Sequence, residues 1–215
     1  MEVITINTHG HLLHLHGTPG VIRNCWVKGL PYESPLLEHI RNRGFKGGLA
    51  LDIGANIGNH SLWFSIVCGL DVIAFEPILH KQLEKNLKLN PSASVQVEPY
   101  ALGNKEGKAH HLGRGVLELS ADGTIPVKRL DDLLLENISF IKLDIEGMES
   151  SALQGGAQTI QRERPVIYAE AWGDEGHKKV ARVLEPWGYK VTVSFHQRNQ
   201  MGHDTPVEEW MVDCD

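Results

Sequence analysis

Gly47-Gly48-Leu49-Ala50-Leu51-Asp52-Ile53-Gly54-Ala55-Asn56-Ile57-Gly58 reads as a buried strand that runs into a glycine turn and opens a helix. Leu49, Ala50, Leu51 and Ile53 form the apolar run of a central parallel strand, while Gly54 and Gly58 let the backbone turn tightly and admit a ligand to the start of the next helix. The following apolar run, Val72-Ile73-Ala74-Phe75, ends in Glu76, 24 residues after Asp52. That is close to the roughly 20-residue spacing at which a Rossmann-type unit sets a carboxylate against ribose hydroxyls.

The glycines depart from the dinucleotide fingerprint. G-x-G-x-x-G carries a glycine at its third position because the backbone packs there against a pyrophosphate. Here that position is Asn56, and Asp52 precedes the first glycine. A carboxylate at the strand end repels a pyrophosphate and attracts the ammonium or sulfonium of S-adenosylmethionine, which carries no phosphate. The pattern favours that cofactor over NAD.

Outward from this turn, apolar runs alternate with helical patterns: Leu49 to Ile53, a helix from about Gly58, Val72 to Phe75, a helix over His80 to Leu89 stopped by Asn90-Pro91, and Val95 to Val97. The order β-α-β-α-β predicts a parallel sheet in an α/β fold. Glycine-broken pieces at Lys108 to Leu112, Val116 to Leu119 and Thr124 to Val127 suggest an antiparallel insertion. The parallel pattern resumes at Ser139 to Ile145, followed by a helix near Met148 to Leu153, a helical turn ending at Arg164-Pro165, the strand Val166 to Glu170, a helix at about Gly176 to Leu184 and a strand at Tyr189 to Ser194. His196 to Thr205 reads as an exposed loop and Val207 to Val212 as a last edge strand. Before the nucleotide strand, the alternations Val3 to Asn7 and Leu12 to His16 give residues 1–30 the character of a hairpin-like cap on a domain spanning 31–215, the two forming one domain overall. Leu36 to Arg43 is amphipathic and stopped by Gly44.

With 215 residues, 41% hydrophobic and 22% charged, the chain is long enough for one full α/β core. Its formal net charge of −6 argues against nucleic acid as a partner, because a chain that wraps phosphates carries a basic surface. Cys25, Cys68 and Cys214 are odd in number and far apart, so neither a disulfide framework nor a zinc knuckle is expected. No apolar run approaches the roughly 18 residues of a membrane span. The expected setting is cytoplasmic.

Leu51-Asp52-Ile53-Gly54-Ala55-Asn56-Ile57-Gly58-Asn59-His60, Ala74-Phe75-Glu76-Pro77, Ala101-Leu102-Gly103, Arg129-Leu130-Asp131-Asp132 and Ile141 to Glu149 occur in one order over residues 32–171. Together they resemble the FkbM family of S-adenosylmethionine-dependent methyltransferases. The resemblance implies a class I methyltransferase fold, a Rossmann-like three-layer sandwich with a mainly parallel seven-stranded sheet, and methyl transfer to a hydroxyl oxygen. It implies that Asp52, Gly54, Ala55, Asn56 and Gly58 surround the methionine part of the cofactor and that Glu76 holds the ribose, with Pro77, Tyr100, Ala101 and Asp144 as further cofactor contacts. The family usually shows E-P-x-P, whereas this chain has Glu76-Pro77-Ile78-Leu79, so the bend after Glu76 is expected to differ.

Ligands of open parallel sheets bind outside the carboxyl ends of the strands, which is where Asp144, Glu146 and Gly147 fall. A hydroxyl acceptor has to lose a proton, and Asp144 or Glu146 is placed to take it if burial raises its pKa; a helix-capping role is the alternative for Asp144. His60, in the first turn after the glycines, is a secondary base candidate or an ordinary polar helix residue. Glu149 reads as an exposed first-turn acid. Lys142 shares a strand face with Asp144 and Glu146, and Glu170 is its expected partner. His9, His11, His14 and His16 alternate on a strand without a helical metal-ligand pattern, so a solvated or acceptor-facing strand is favoured and no resident metal is expected. The alternative is Mg²⁺ held by Asp144, Glu146, Glu170 and Asp174. Arg114 and His110-His111 belong to the insertion, where a solvated hairpin or contact with an anionic acceptor is open.

The leading expectation is an O-methyltransferase acting on a small molecule or a sugar. Asp144-Ile145-Glu146-Gly147 lacks the [DN]-P-P-[YF] sequence with which amino methyltransferases grip a planar nitrogen. Two alternatives stand beside it: a non-catalytic S-adenosylmethionine-binding module, and an NAD-dependent oxidoreductase, which Asn56 and Asp52 disfavour.

Overall fold

The alternation at the start of the chain becomes an antiparallel hairpin, with β1 (Val3–Thr8) against β2 (His11–His16), Ile6 facing Leu13 and Ile4 facing Leu15. Those four side chains are buried, as period-2 alternation requires of a hairpin with one covered face. The computed structural model describes residues 2–17, 19–171, 173–197 and 207–213. The chain divides into two compact units, Met1–Glu98 and Pro99–Asp215.

In the first unit, α1 (Val21–Val27) buries Cys25 and Trp26, a helix the sequence pattern does not announce. Helix α2 (Ser34–Asn42) carries Pro35 in its first turn, where its fixed φ is suited, and buries Leu36, Leu37 and Ile40. Strand β3 (Leu49–Ile53) is buried on both faces from Ala50 onward, as a central parallel strand must be. After the glycine turn comes α3 (Asn59–Leu62), which the chain does not continue as a regular helix. Trp63–Val67 widens into a π-turn, with the Cys68 N–H reaching the Trp63 carbonyl at 3.1 Å, a geometry found often at functional sites. β4 (Asp71–Phe75), α4 (His80–Lys88) and β5 (Val95–Glu98) complete the unit, with β3, β4 and β5 side by side and parallel.

In the second unit, β6 (Ala101–Leu102), β7 (Gly107–Gly113), β8 (Val116–Leu119) and β9 (Ile125–Lys128) form the expected insertion as a sheet ordered β6-β9-β7-β8, antiparallel except for β6 with β9. β10 (Ile138–Leu143), buried almost throughout, pairs parallel with β11 (Val166–Glu170). Between them lie α5 (Glu149–Gly155) and α6 (Ala157–Glu163). After α7 (Gly173–Leu184) come β12 (Lys190–Gln197) and β13 (Val207–Asp213). β13 corrects an expectation: it pairs antiparallel with both β11 and β12, so it is an inner strand. A returning chain can enter between two strands only when the preceding strand is left one position out, an order that local patterning does not encode. The expected loop at 196–205 starts instead as the end of β12, and its residues 198–205 lie outside those described, as does Cys214. Among the described residues no helix is long and apolar enough to cross a membrane.

Candidate active site

The turn between β3 and α3 is held by hydrogen bonds at nearly every residue. Asp52, fully buried at the end of β3, accepts the Ser61 hydroxyl at 2.6 Å. The Gly54 and Ala55 N–H groups both donate to the Phe75 carbonyl, at 2.9 and 3.2 Å. Asn56 takes a left-handed conformation, φ 52°, and its N–H donates to Glu76 Oε2 at 2.9 Å. Gly58 has φ 94°, and a β-carbon there would stand 3.3 Å from Leu83 Cγ, so both conformation and space call for glycine. Glu76 is buried, and its Oε1 accepts the N–H groups of Ile78 and Leu79 at 2.7 and 2.9 Å. A carboxylate offers about four lone-pair sites, and these three bonds leave one of them, on Oε2, for a further donor.

His60 points into the protein. Its Nε2 lies 3.0 Å from Glu33 Oε2, both side chains are buried, and its ring stacks on Phe64 with centroids 5.9 Å apart. Glu33 holds a left-handed backbone, φ 60°, just before α2. The neighbouring Asn59 carboxamide accepts from Trp26 Nε1 and the Tyr32 N–H and donates to the Tyr32 carbonyl. Asn59 and His60 thus clamp residues 26–33 to the helix that follows the glycine turn.

In the second unit, the end of β10 gathers acidic groups. Lys142 is buried, which calls for a partner to its ammonium, and its Nζ lies 3.2 Å from Asp144 Oδ2, the strand neighbour two residues on. Glu146 sits in the left-handed region at φ 52°. The Arg114-Gly115 tip of the β7–β8 hairpin lies against it, since a β-carbon on Gly115 would fall 2.9 Å from Glu146 Cγ. Burial, then the Asp144 and Glu149 carboxylates, push the Glu146 pKa above the usual Glu value. Glu149 corrects another expectation. It is not an exposed first-turn acid but buried, with Oε1 accepting the N–H groups of Ile145 and Gly147, each at 3.1 Å. The loop 144–148 leads directly into α5, and the side chain of the first helical residue reaches back to accept two of the loop's amides. Burial raises the Glu149 pKa against these backbone hydrogen bonds, and Asp144 adds to the rise.

Tyr100 is buried with Lys128 Nζ 3.9 Å above its ring, and Ala101 packs with Ala109 and Val127. Pro77 is half-buried. Of the N-terminal histidines, His14 Nδ1 meets Thr5 Oγ1 at 2.8 Å and His9 Nε2 meets Glu38 at 2.6 Å. Among the described residues no three His, Cys, Asp or Glu side chains converge as a metal would require; the Asp174 side chain lies outside them. Residue patterning missed Glu33, Ser61, Asn86 and Asn90. The two asparagines carried a signal: Leu83, Asn86, Leu87 and Asn90 form one helical stripe, and a carboxamide on an otherwise apolar stripe marks a buried hydrogen-bonding task.

Residues 52–191 match the methyltransferase FkbM domain. The chain belongs to the FkbM methyltransferase family. No curated protein matches its sequence. Among solved structures it is similar to an FkbM methyltransferase from Methylobacillus flagellatus, with TM-score 0.58 and 21% identity over 77% of this chain and 43% of that one. It also resembles a precorrin-6y C5,15-methyltransferase from Geobacter metallireducens, with TM-score 0.52 and 17% identity over 86% of this chain and 88% of that one. A third is a tRNA (uracil-54, C5)-methyltransferase from Pyrococcus abyssi in complex with S-adenosyl-L-homocysteine, with TM-score 0.56 and 13% identity over 99% of this chain and 44% of that one. At these identities the likeness shows the fold, which is the class I methyltransferase α/β fold. This FkbM chain spans less than half of the first and third of those proteins.

Two family motifs acquire physical meaning here. Where the family usually has a second proline after Glu76, Leu79 supplies an N–H to Glu76 Oε1 that a proline lacks, so the departure from E-P-x-P adds a bond. In Arg129-Leu130-Asp131-Asp132, Asp131 Oδ1 accepts the Thr159 N–H at the start of α6, at 2.9 Å, and Asp131 Oδ2 faces Arg129 at 3.2 Å. That motif caps a helix.

Proposed function

We propose that this FkbM protein is an S-adenosylmethionine-dependent O-methyltransferase whose acceptor is a hydroxyl of a small molecule or a sugar. The observation that carries the cofactor assignment is Glu76: its carboxylate is locked by three backbone N–H groups and keeps one acceptor position on Oε2, suited to a ribose hydroxyl. Asp52, Gly54, Ala55, Asn56 and Gly58 surround the methionine part, with Pro77, Tyr100, Ala101 and Asp144 as further contacts. When bound, the cofactor supplies a methyl group on a sulfonium centre, a carbon that is electrophilic without a Lewis acid.

Glu146 is the base that takes the acceptor's hydroxyl proton. Its raised pKa makes it a better proton acceptor than an ordinary carboxylate, whereas Asp144 already faces the Lys142 ammonium. Asp144 then orients, and His60 stabilises the helix that follows the glycine turn through Glu33. The net charge of −6 supports a small acceptor over nucleic acid, and the odd number and wide spacing of Cys25, Cys68 and Cys214 fit a cytoplasmic setting.

The test is methyl transfer from labelled S-adenosylmethionine to a panel of hydroxylated small molecules and sugars, followed as a function of pH. Turnover should fall as pH drops through a midpoint above the ordinary Glu value. Glu146→Gln should lower kcat by about 10²–10⁴-fold while leaving cofactor affinity unchanged. Activity should persist in EDTA. Wild-type turnover in Glu146→Gln would move the role to Asp144 or His60, and loss in EDTA restored by Mg²⁺ would favour a metal-assisted mechanism.

A further inference from the structure

The outer edge of β2 is closed by side chains. His14 and His16 pair with β1 through Thr5 and Val3, and their N–H groups donate to Asn90 Oδ1 and Asn86 Oδ1, each at 2.9 Å. Asn90 Nδ2 returns a bond to the His14 carbonyl at 2.7 Å, so one carboxamide makes both bonds that a neighbouring strand would make. The two asparagines are one helical turn apart, and Asn90 Nδ2 also donates to the Asn86 carbonyl at 2.7 Å. Both are almost completely buried, Asn86 at 0% and Asn90 at 3% exposure.

Asn86 has a second task that Asn90 lacks. Its Nδ2 donates to the Ile57 carbonyl at 2.7 Å, and Ile57 is the residue between Asn56 and Gly58. The tip of the turn is therefore held from two sides, by Glu76 at the Asn56 N–H and by Asn86 at the Ile57 carbonyl. Leu83, one turn earlier on α4, supplies the floor under Gly58. A single amide group, with one oxygen and two N–H donors, links the N-terminal hairpin to the turn.

We propose that Asn86 is a positioning residue for S-adenosylmethionine, fixing the Asn56-Ile57-Gly58 backbone in the shape that receives the cofactor, and that the β1–β2 hairpin holds Asn86 in place for this task. The inference rests on the reading of this turn as the cofactor site. A hairpin that served only to cover α4 would need Asn90 as much as Asn86, and the two residues separate those cases. Asn86→Asp keeps the acceptor for His16 but sets an anionic oxygen against the Ile57 carbonyl. Asn86→Ser is milder and too short to reach it. Asn90→Ala loosens the hairpin and leaves the Ile57 bond intact.

The experiment is calorimetric titration of the full chain and these variants with S-adenosylhomocysteine, alongside thermal unfolding. Both Asn86 variants should bind at least tenfold more weakly, while Asn90→Ala lowers Tm but stays within about twofold of the wild-type Kd. Asn86 variants that bind like the wild type, or an Asn90→Ala loss as large as theirs, would overturn the proposal. An independent reading needs no substitution: saturating S-adenosylhomocysteine should slow amide exchange at His16, because binding at the turn strengthens the linkage to Asn86. Unchanged exchange there would also overturn it. A wild-type protein that does not bind S-adenosylhomocysteine at all would overturn the cofactor assignment itself, a result distinct from the others.

Discussion

Glu149 shows how one buried acid carries both a structural bond and an electrostatic cost. Its Oε1 alone accepts the Ile145 and Gly147 N–H groups, so a glutamine can make the same two bonds without the charge. The Glu149 pKa is raised in the folded protein, which fixes the sign of its linkage: the group favours folding below the ordinary Glu value and loses that contribution as pH rises through its folded pKa. Glu149→Gln should therefore be at least as stable as the wild type at pH 7, and the wild type should gain on it as the solution is acidified from 7 towards 4. Thermal unfolding of both proteins across that range checks this, and parallel Tm curves would contradict it. Removing the Glu149 charge should also let the Glu146 pKa fall, since that carboxylate is one of its neighbours. In the sequence Glu149 reads as an ordinary first-turn acid, because position in a helix says nothing of the preceding amides its side chain reaches back to accept.

The glycine turn is the element on which the functional reading depends, and it was the most legible part of the chain. Leu49 to Ile53 is a buried strand as its apolar run demanded, and Gly58 adopts a conformation other residues avoid. Gly58→Ala should cost about 1–3 kcal/mol of stability, because φ 94° is strained for a residue with a β-carbon and the methyl group would press on Leu83. Chemical denaturation measures this directly, and an unchanged midpoint would mean that the turn relaxes freely. What patterning could not read at this scale was the continuation into a π-turn at Trp63–Val67, or the clamp of Asn59 and His60 on residues 26–33. The clamp depends on residues distant in sequence, whereas strand and turn signals are local. The period-2 face of Lys142 was readable in the same local way, and its Asp144 neighbour on that face lies at ion-pair distance.

At the scale of the whole chain, the sequence of strands and helices was legible from hydrophobic period, and the spatial order of the last strands was not. Val207 to Val212 read as an edge, yet β13 pairs on both sides, an outcome decided by which strand the returning chain meets. Family membership, resting on residues 52–191, agrees with the motifs read from residues 32–171. The acceptor is specified by no comparable motif, so the cofactor assignment is the claim on which the rest of the functional account stands. Its most direct test is isothermal titration of the wild type and Glu76→Gln with S-adenosylmethionine, S-adenosylhomocysteine and NAD. In the glutamine variant Oε1 keeps its two N–H bonds while the Oε2 position loses its acceptor for Asn56 and for a ribose hydroxyl, a loss of about 1.5–3 kcal/mol or tenfold and more in Kd. The account predicts that the wild type binds both S-adenosyl compounds and not NAD, and that Glu76→Gln binds them at least tenfold more weakly; binding of NAD without S-adenosylhomocysteine, or equal affinity in the variant, would contradict it.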